Sequence, residues 1–192
     1  EIYVAPYEDF GAPACRILVP DYSEVYLAED LIWDNTNQAL NFREDILNIH
    51  SLTHDELEDL LERFEEAQLD HYTVISGLIG IQFDENSVWG KLDVGELKIL
   101  IYLVLKKYSE AKEIIDDFLN FNDNTGERVL FYRSLSAVLD ITIDDNLDVD
   151  DYLPNLNRMF GSEVMENVFG SVTGTIKFSG LTKTSMKLEG LE

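Results

Sequence analysis

The densest apolar pattern in the chain lies at residues 92–121, LDVGELKILIYLVLKKYSEAKEIIDDFLNF. Val94, Leu97, Leu100, Ile101 and Leu105 recur at helical spacing, and Ile99, Tyr102, Leu103 and Val104 fill most of the other faces. A helix apolar nearly all round must be covered on more than one side, so this one is expected at the centre of the fold. Asp93, with Glu96 three residues on, carries the signature of a capping box. Lys106 and Lys107 stand where cations meet the negative end of a helix dipole. Ser109 is then expected to cap a second helix. Its Ala111, Ile114, Ile115, Phe118 and Phe121 form one stripe, with the small Ala111 where two helices would cross closely.

The pair has the outline of a single tetratricopeptide unit. Tyr108-Ser109-Glu110-Ala111, then Ile115 and Phe118, fit the second half of such a repeat. Ile99 stands where the pattern wants a small residue, and no second copy follows at a period of about 34 residues. A generic helical hairpin is the alternative that the residues leave open.

The remaining pattern is mostly helical. A helix is expected from about Gln38 to Asn48, with Leu40, Ile46, Leu47 and Ile49 as core positions. Thr53 and Glu56 form a second capping box, before a helix with Leu57, Leu60, Leu61, Phe64 and Ala67 on one face and acids around the other. Asp70 can cap a short helix that Gly80 ends. Residues 84–90 read as a polar turn holding Trp89. Thr125 can cap a helix carrying Val129, Tyr132, Leu135, Val138 and Leu139. An acidic loop follows at 144–151, then a helix at 149–160, whose Pro154 fits only near a first turn. Ser162 can cap residues 163–169, and Val172–Phe178 reads locally as a strand. At the start, Ile2–Ala5 and Ala14–Val19 are short β-prone runs, marginal alone and expected to join a larger sheet. The fold class expected is mainly α: tetratricopeptide-like helical hairpins with a short N-terminal β-hairpin.

Composition narrows the function classes. The chain has 192 residues, 45% of them hydrophobic, enough for one domain or a domain and a half. Asp and Glu number 38 against 14 Lys and Arg, a net charge of −24. Such a surface repels phosphate backbones and anionic membranes. It suits a basic partner, or is simply well solvated. One cysteine excludes an internal disulfide and a cysteine-based zinc site, and points to a reducing cytoplasm. No apolar run reaches the roughly 18 residues of a membrane span. The chain opens at Glu1 inside a strand-like run, as expected of a piece of a longer protein.

Candidate chemistry is sparse. His50 and His54, four apart with Asp55 and Glu56 beside them, could bind a metal on one continuous helix, but Thr53 as an N-cap would break that helix. Asp144, Asn146, Asp148 and Asp150 mimic the first half of a calcium loop. Val149 and Asn155 stand where such a loop needs glycine and a bidentate glutamate, so a capped acidic loop is the better reading. Neither a Walker A loop nor a Gly-x-Gly-x-x-Gly run is present. Cys15 is expected as a buried small apolar side chain. Tyr22, Tyr26, Trp33 and Trp89 either anchor a partner or pack on their own domain. No catalytic, cofactor-binding or metal residue is assigned.

The first thirty-one residues, EIYVAPYEDFGAPACRILVPDYSEVYLAEDL, resemble the stretch where the catalytic domain of YcaO-family proteins ends. Tyr3-Val4-Ala5, Tyr7, Ala14-Cys15-Arg16-Ile17, Val19-Pro20 and Ala28-Glu29-Asp30-Leu31 carry the likeness. It continues in order through Arg43-Glu44, Ile46-Leu47, Gly95-Glu96-Leu97-Lys98, Phe131-Tyr132-Arg133, Arg158-Met159, Gly161 and Gly180-Leu181. The resemblance implies that residues 1–27 are terminal strands of a preceding catalytic domain and 28–192 a C-terminal helical, tetratricopeptide-like domain. It also implies helix rather than strand at 172–178.

Family catalytic domains use ATP and magnesium to phosphorylate a peptide-bond oxygen, and one type assists β-methylthiolation of an aspartate in a small-subunit ribosomal protein. No position here matches the family's ATP or magnesium carboxylates. The proline-rich catalytic tail of azoline-forming relatives is missing as well; the chain closes on KLEGLE. The leading expectation is therefore a non-catalytic interaction and dimerisation domain. Its expected partners are a second copy and a radical methylthiotransferase or ribosomal protein. The competing expectation is a free-standing small enzyme with an acidic divalent-metal site.

Overall fold

A computed structural model describes residues 2–7, 14–19, 39–81, 83–84, 87–121 and 126–183. The chain divides into two compact units, Glu1–Asn37 and Gln38–Glu192. In the first, β1 (Tyr3–Tyr7) and β2 (Ala14–Leu18) pair antiparallel, with Tyr3 opposite Leu18 and Tyr7 opposite Ala14. This register puts Val4 and Ile17 directly opposite each other on one face, each 57% exposed. Cys15 lies on that same face and is exposed, which corrects the buried position expected for it. A strand residue is buried only where something covers its face, and Val4, Cys15 and Ile17 on this face are all exposed.

The described residues of the second unit form nine helices: α1 (Ala39–Leu47), α2 (His54–Glu66), α3 (Ile75–Ile79), α4 (Val88–Lys91), α5 (Val94–Val104), α6 (Tyr108–Phe121), α7 (Glu127–Ile143), α8 (Val149–Phe160) and α9 (Ser162–Thr173). A single 3-10 turn, Ile49–Ser51, follows α1.

The fold is arranged around α5. Its Val94, Leu97, Leu100 and Ile101 belong to one core with α1, α2, α3 and α4. Its Ile99 and Leu103 belong to a second core with α6, α7, α8 and α9. The absence of a polar face in the sequence is thus explained: α5 is the wall shared by two cores. Each fully buried Leu or Ile contributes about 1.5–3 kcal/mol against exposure. The capping box forms, with Glu96 N donating to Asp93 Oδ1 at 2.8 Å and Asp93 N to a Glu96 carboxylate oxygen at 3.3 Å. A three-residue turn, with Lys106 at φ +58°, returns the chain into α6, and α6 packs on both α5 and α7.

The capping box of α2 also forms, and Leu57, Leu60, Leu61 and Phe64 are buried as their spacing requires. Several starts differ from expectation by a residue or a few. Val74, not Asp70, precedes α3; Asp70 Oδ1 instead accepts the Tyr72 N–H at 2.9 Å in an Asx turn. The polar segment at 84–90 runs into α4, one turn capped by Ser87 Oγ. Ser109 and Ser162 lie inside α6 and α9 rather than before them. Gly126 precedes α7, and Thr125 lies outside the described residues. Pro154 is the sixth residue of α8, and the helix continues through it. The carbonyl it leaves without a donor is that of Asp150, in an exposed first turn where water can serve it.

No strand forms at Val172–Phe178. Val172 and Thr173 complete α9, Gly174 at φ +81° ends it, and residues 175–180 are bends and turns. The β-branched residues find a different use. Ile176 N donates to Gly170 O at 2.8 Å and its side chain closes over Gly170, where an added Cβ would come within 2.6 Å of Ile176 Cγ1. Phe178 is buried against the first core. β-Propensity describes a fit to a pleated, half-buried surface, and here no partner strand supplies one.

Candidate functional site

His50 sits on the 3-10 turn and His54 opens α2, with the Thr53 cap between them, so they do not share a helix face. The His50 ring instead meets Phe178 edge-on at 5.3 Å. Its Nε2 is buried with no hydrogen-bond partner among the described residues, and burial lowers its pKa against a backbone hydrogen bond with Leu181. Asp144 and Asp148 spend their carboxylates on local turns, on Asn146 N at 2.9 Å and Asp150 N at 3.0 Å. No group of three His, Cys, Asp or Glu side chains is arranged to hold a metal ion among the described residues. Trp89 is 3% exposed, donates Nε1–H to Thr182 O at 2.9 Å and stacks on Phe83 at 5.5 Å, so it packs on its own domain. Tyr22, Tyr26 and Trp33 lie outside the described residues.

The polar centre of the second unit is one that sequence reasoning did not assemble. Glu96 is buried at the N-terminus of α5. Arg128, from the first turn of α7, donates Nε–H to Glu96 and Nη2–H to Asp93 at 2.8 Å. The Tyr132 hydroxyl, one helical turn further on, hydrogen-bonds Glu96 as well. Burial pushes the Glu96 carboxyl up, and the Asp93 charge adds to the shift against Arg128 and Tyr132. Burial likewise raises Asp93. Burial also opposes the charge of Arg128, but the two carboxylates outweigh it and its pKa rises. Burial, then Glu96, lifts Tyr132 well above its usual range. Two acids therefore share one guanidinium. The available signal was Glu96 itself: an acid inside an apolar run needs a cation, and Arg128 opens a helix able to supply one.

The rest of the Gly95-Glu96-Leu97-Lys98 run is as closely used. Gly95 N donates to His71 O at 2.9 Å, and a Cβ there would stand 3.1 Å from His71 Cβ. Lys98, only 2% exposed, reaches Glu65 at 2.5 Å and lies 3.4 Å from His71 Nε2.

Beside the Glu96–Arg128 cluster opens a cleft of about 440 Å³ between α4, α5 and α7. Its apolar wall is Val88, Leu100 and Phe131, and the buried Tyr132 and Glu96 also line it. Lys91 and Glu127 stand exposed at its edge. A second concavity, about 280 Å³, is lined by Glu58, Glu62, Glu65 and Glu110 with Tyr102 and Lys107. Its acidity continues the character of the whole chain.

Residues 39–192 match the family described as YcaO cyclodehydratase C-terminal domain. The chain belongs to the YcaO family. An "uncharacterized protein" of Haemophilus influenzae is 33% identical over 177 residues, 90% of this chain and 30% of that protein. The Ribosomal protein S12 methylthiotransferase accessory factor YcaO of Escherichia coli is 32% identical over 186 residues, 94% of this chain and 32% of its own length. The YcaO-family chain thus spans about a third of the relatives it matches. Among its described residues no helix is long and apolar enough to cross a membrane.

Proposed function

We propose that the chain is a non-catalytic interaction domain of a YcaO-family protein, acting in the cytoplasm by docking protein partners and pairing with a second copy. The observation that carries this reading is the match of residues 39–192 to the family's C-terminal domain. The fate of the buried polar groups supports it. Glu96, Asp93, Arg128, Lys98 and Tyr132 are joined to one another or to Glu65 across helices, a structural use rather than one aimed at a reacting atom. Stacked helical hairpins, the tetratricopeptide-like arrangement, would present helix faces suited to such docking. ATP and magnesium, and with them peptide-amide activation, belong on this reading to the part of the relatives that this chain does not span. The partner class follows from the E. coli relative, named as an accessory factor to a ribosomal protein methylthiotransferase: the methylthiotransferase or its ribosomal protein.

Isothermal titration of the chain with ATP and magnesium tests the non-catalytic half of the reading. The expected result is no binding at micromolar concentrations. Micromolar affinity would overturn it.

A further inference from the structure

The cleft between α4, α5 and α7 is shaped by commitments already made around it. Arg128 spends Nε on Glu96 and Nη2 on Asp93, and Tyr132 spends its hydroxyl on Glu96. The Arg128 charge is thus already shared between two acids. An entering carboxylate would become a third acid around one guanidinium, and an entering ammonium would lose water beside Arg128. Its apolar lining is Val88, Leu100 and Phe131, with Ser87 and Ser179 beside them and Lys91 and Glu127 at the edge. Val88 is 47% exposed while its neighbour Trp89 is buried, so this single-turn helix holds one apolar side chain inward and one at the cleft. A volume near 440 Å³ is at the lower end of ligand-sized sites and accommodates one large side chain with its backbone.

The carrier of that side chain follows from charge. The chain has 38 acids against 14 basic residues. Of the basic residues, Arg63, Lys98, Lys107, Lys112 and Arg128 are each tied to a carboxylate. The outer field is acidic and draws in basic segments while repelling acidic ones. We propose that the cleft seats an uncharged apolar side chain borne on a lysine- and arginine-rich peptide segment of a partner protein. This rests on the interaction reading above and gives one of its surfaces a place and a chemistry.

The test uses a fluorescein-labelled nonapeptide with a central phenylalanine flanked by lysine, arginine, glycine and serine. It is titrated against the full chain by anisotropy. Replacing the peptide's phenylalanine by alanine, or making Val88→Asp in the protein, should each weaken binding about tenfold or more, the scale of one lost apolar anchor. Combining the two should weaken it little further. Val88→Ser removes the apolar wall without adding charge and should act in the same direction, which covers the case of a misfolded Val88→Asp. An acidic-flanked peptide with the same anchor should not bind. Raising salt from about 50 to about 500 mM should weaken the basic peptide's binding.

Undiminished binding in both Val88 variants would overturn the cleft assignment while leaving an interaction domain standing. Equal binding of the acidic-flanked peptide would overturn the charge argument. Absence of any binding would overturn the proposal outright, with the interaction reading then judged on self-association. Loss of self-association in the Val88 variants, in place of lost peptide binding, would assign the cleft to a second copy and overturn the proposal too.

Discussion

At the scale of single residues, the folded unit turns on Glu96. It closes a capping box, takes the guanidinium of Arg128 and accepts the Tyr132 hydroxyl, all while buried. Removing Arg128 leaves Asp93 and Glu96 facing each other without a cation. Arg128 is 41% exposed, so solvent screens part of the loss: Arg128→Met should cost about 1–2 kcal/mol, and the same change made with Glu96→Gln should cost clearly less. Equal losses in both backgrounds, measured by denaturant unfolding, would show that the pair is not coupled.

The raised carboxyls of Glu96 and Asp93 also set a sign for pH. A carboxyl with a raised pKa binds its proton more tightly folded than unfolded, so its charge costs stability at neutral pH, and the cost disappears as pH falls towards the ordinary value of 4.5. Glu96→Gln removes that cost. Its melting temperature should exceed the parent's by more at pH 7 than at pH 5. A gap that widens towards pH 5 would contradict the burial argument.

At the scale of elements, α5 separates what the sequence could say from what it could not. Its apolar run was legible because burial on every side leaves no polar stripe. Both capping boxes were legible because the interaction is local, three residues apart. The Val172–Phe178 segment was misread because Ile176 folds back over Gly170 instead of facing a partner strand, and Phe178 packs on His50, a contact no local window contains. The Arg128–Glu96 pair was missed for the same reason: the partners are 32 residues apart. The burial of Cys15 was misjudged because strand periodicity gives two faces and does not say which is covered.

Leu97, fully buried in α5, gives a test at this scale. Leu97→Ala should cost about 2–5 kcal/mol. Met159→Ala, at a residue 70% exposed on α8, should stay within about 0.5 kcal/mol. Comparable losses at the two sites would mean that α5 is not the shared wall of both cores.

At the scale of the whole molecule, charge and exposed apolar surface pull in opposite directions. The net charge of −24 resists association of like chains. Ile143, Leu147, Tyr152 and Met159, at the end of α7, in the connection after it and along α8, are large hydrophobics left 39–70% exposed. An isologous contact would place such residues against their own copies, with the acids at the rim. Salt then distinguishes the two kinds of docking. Screening should weaken capture of a basic peptide and strengthen pairing of two acidic copies.

Sedimentation velocity at micromolar concentration, in low and then high salt, is the most direct measurement of the central claim that this chain is an interaction domain. The expected result is a dimer whose population grows with salt. A monomer under both conditions would contradict self-association.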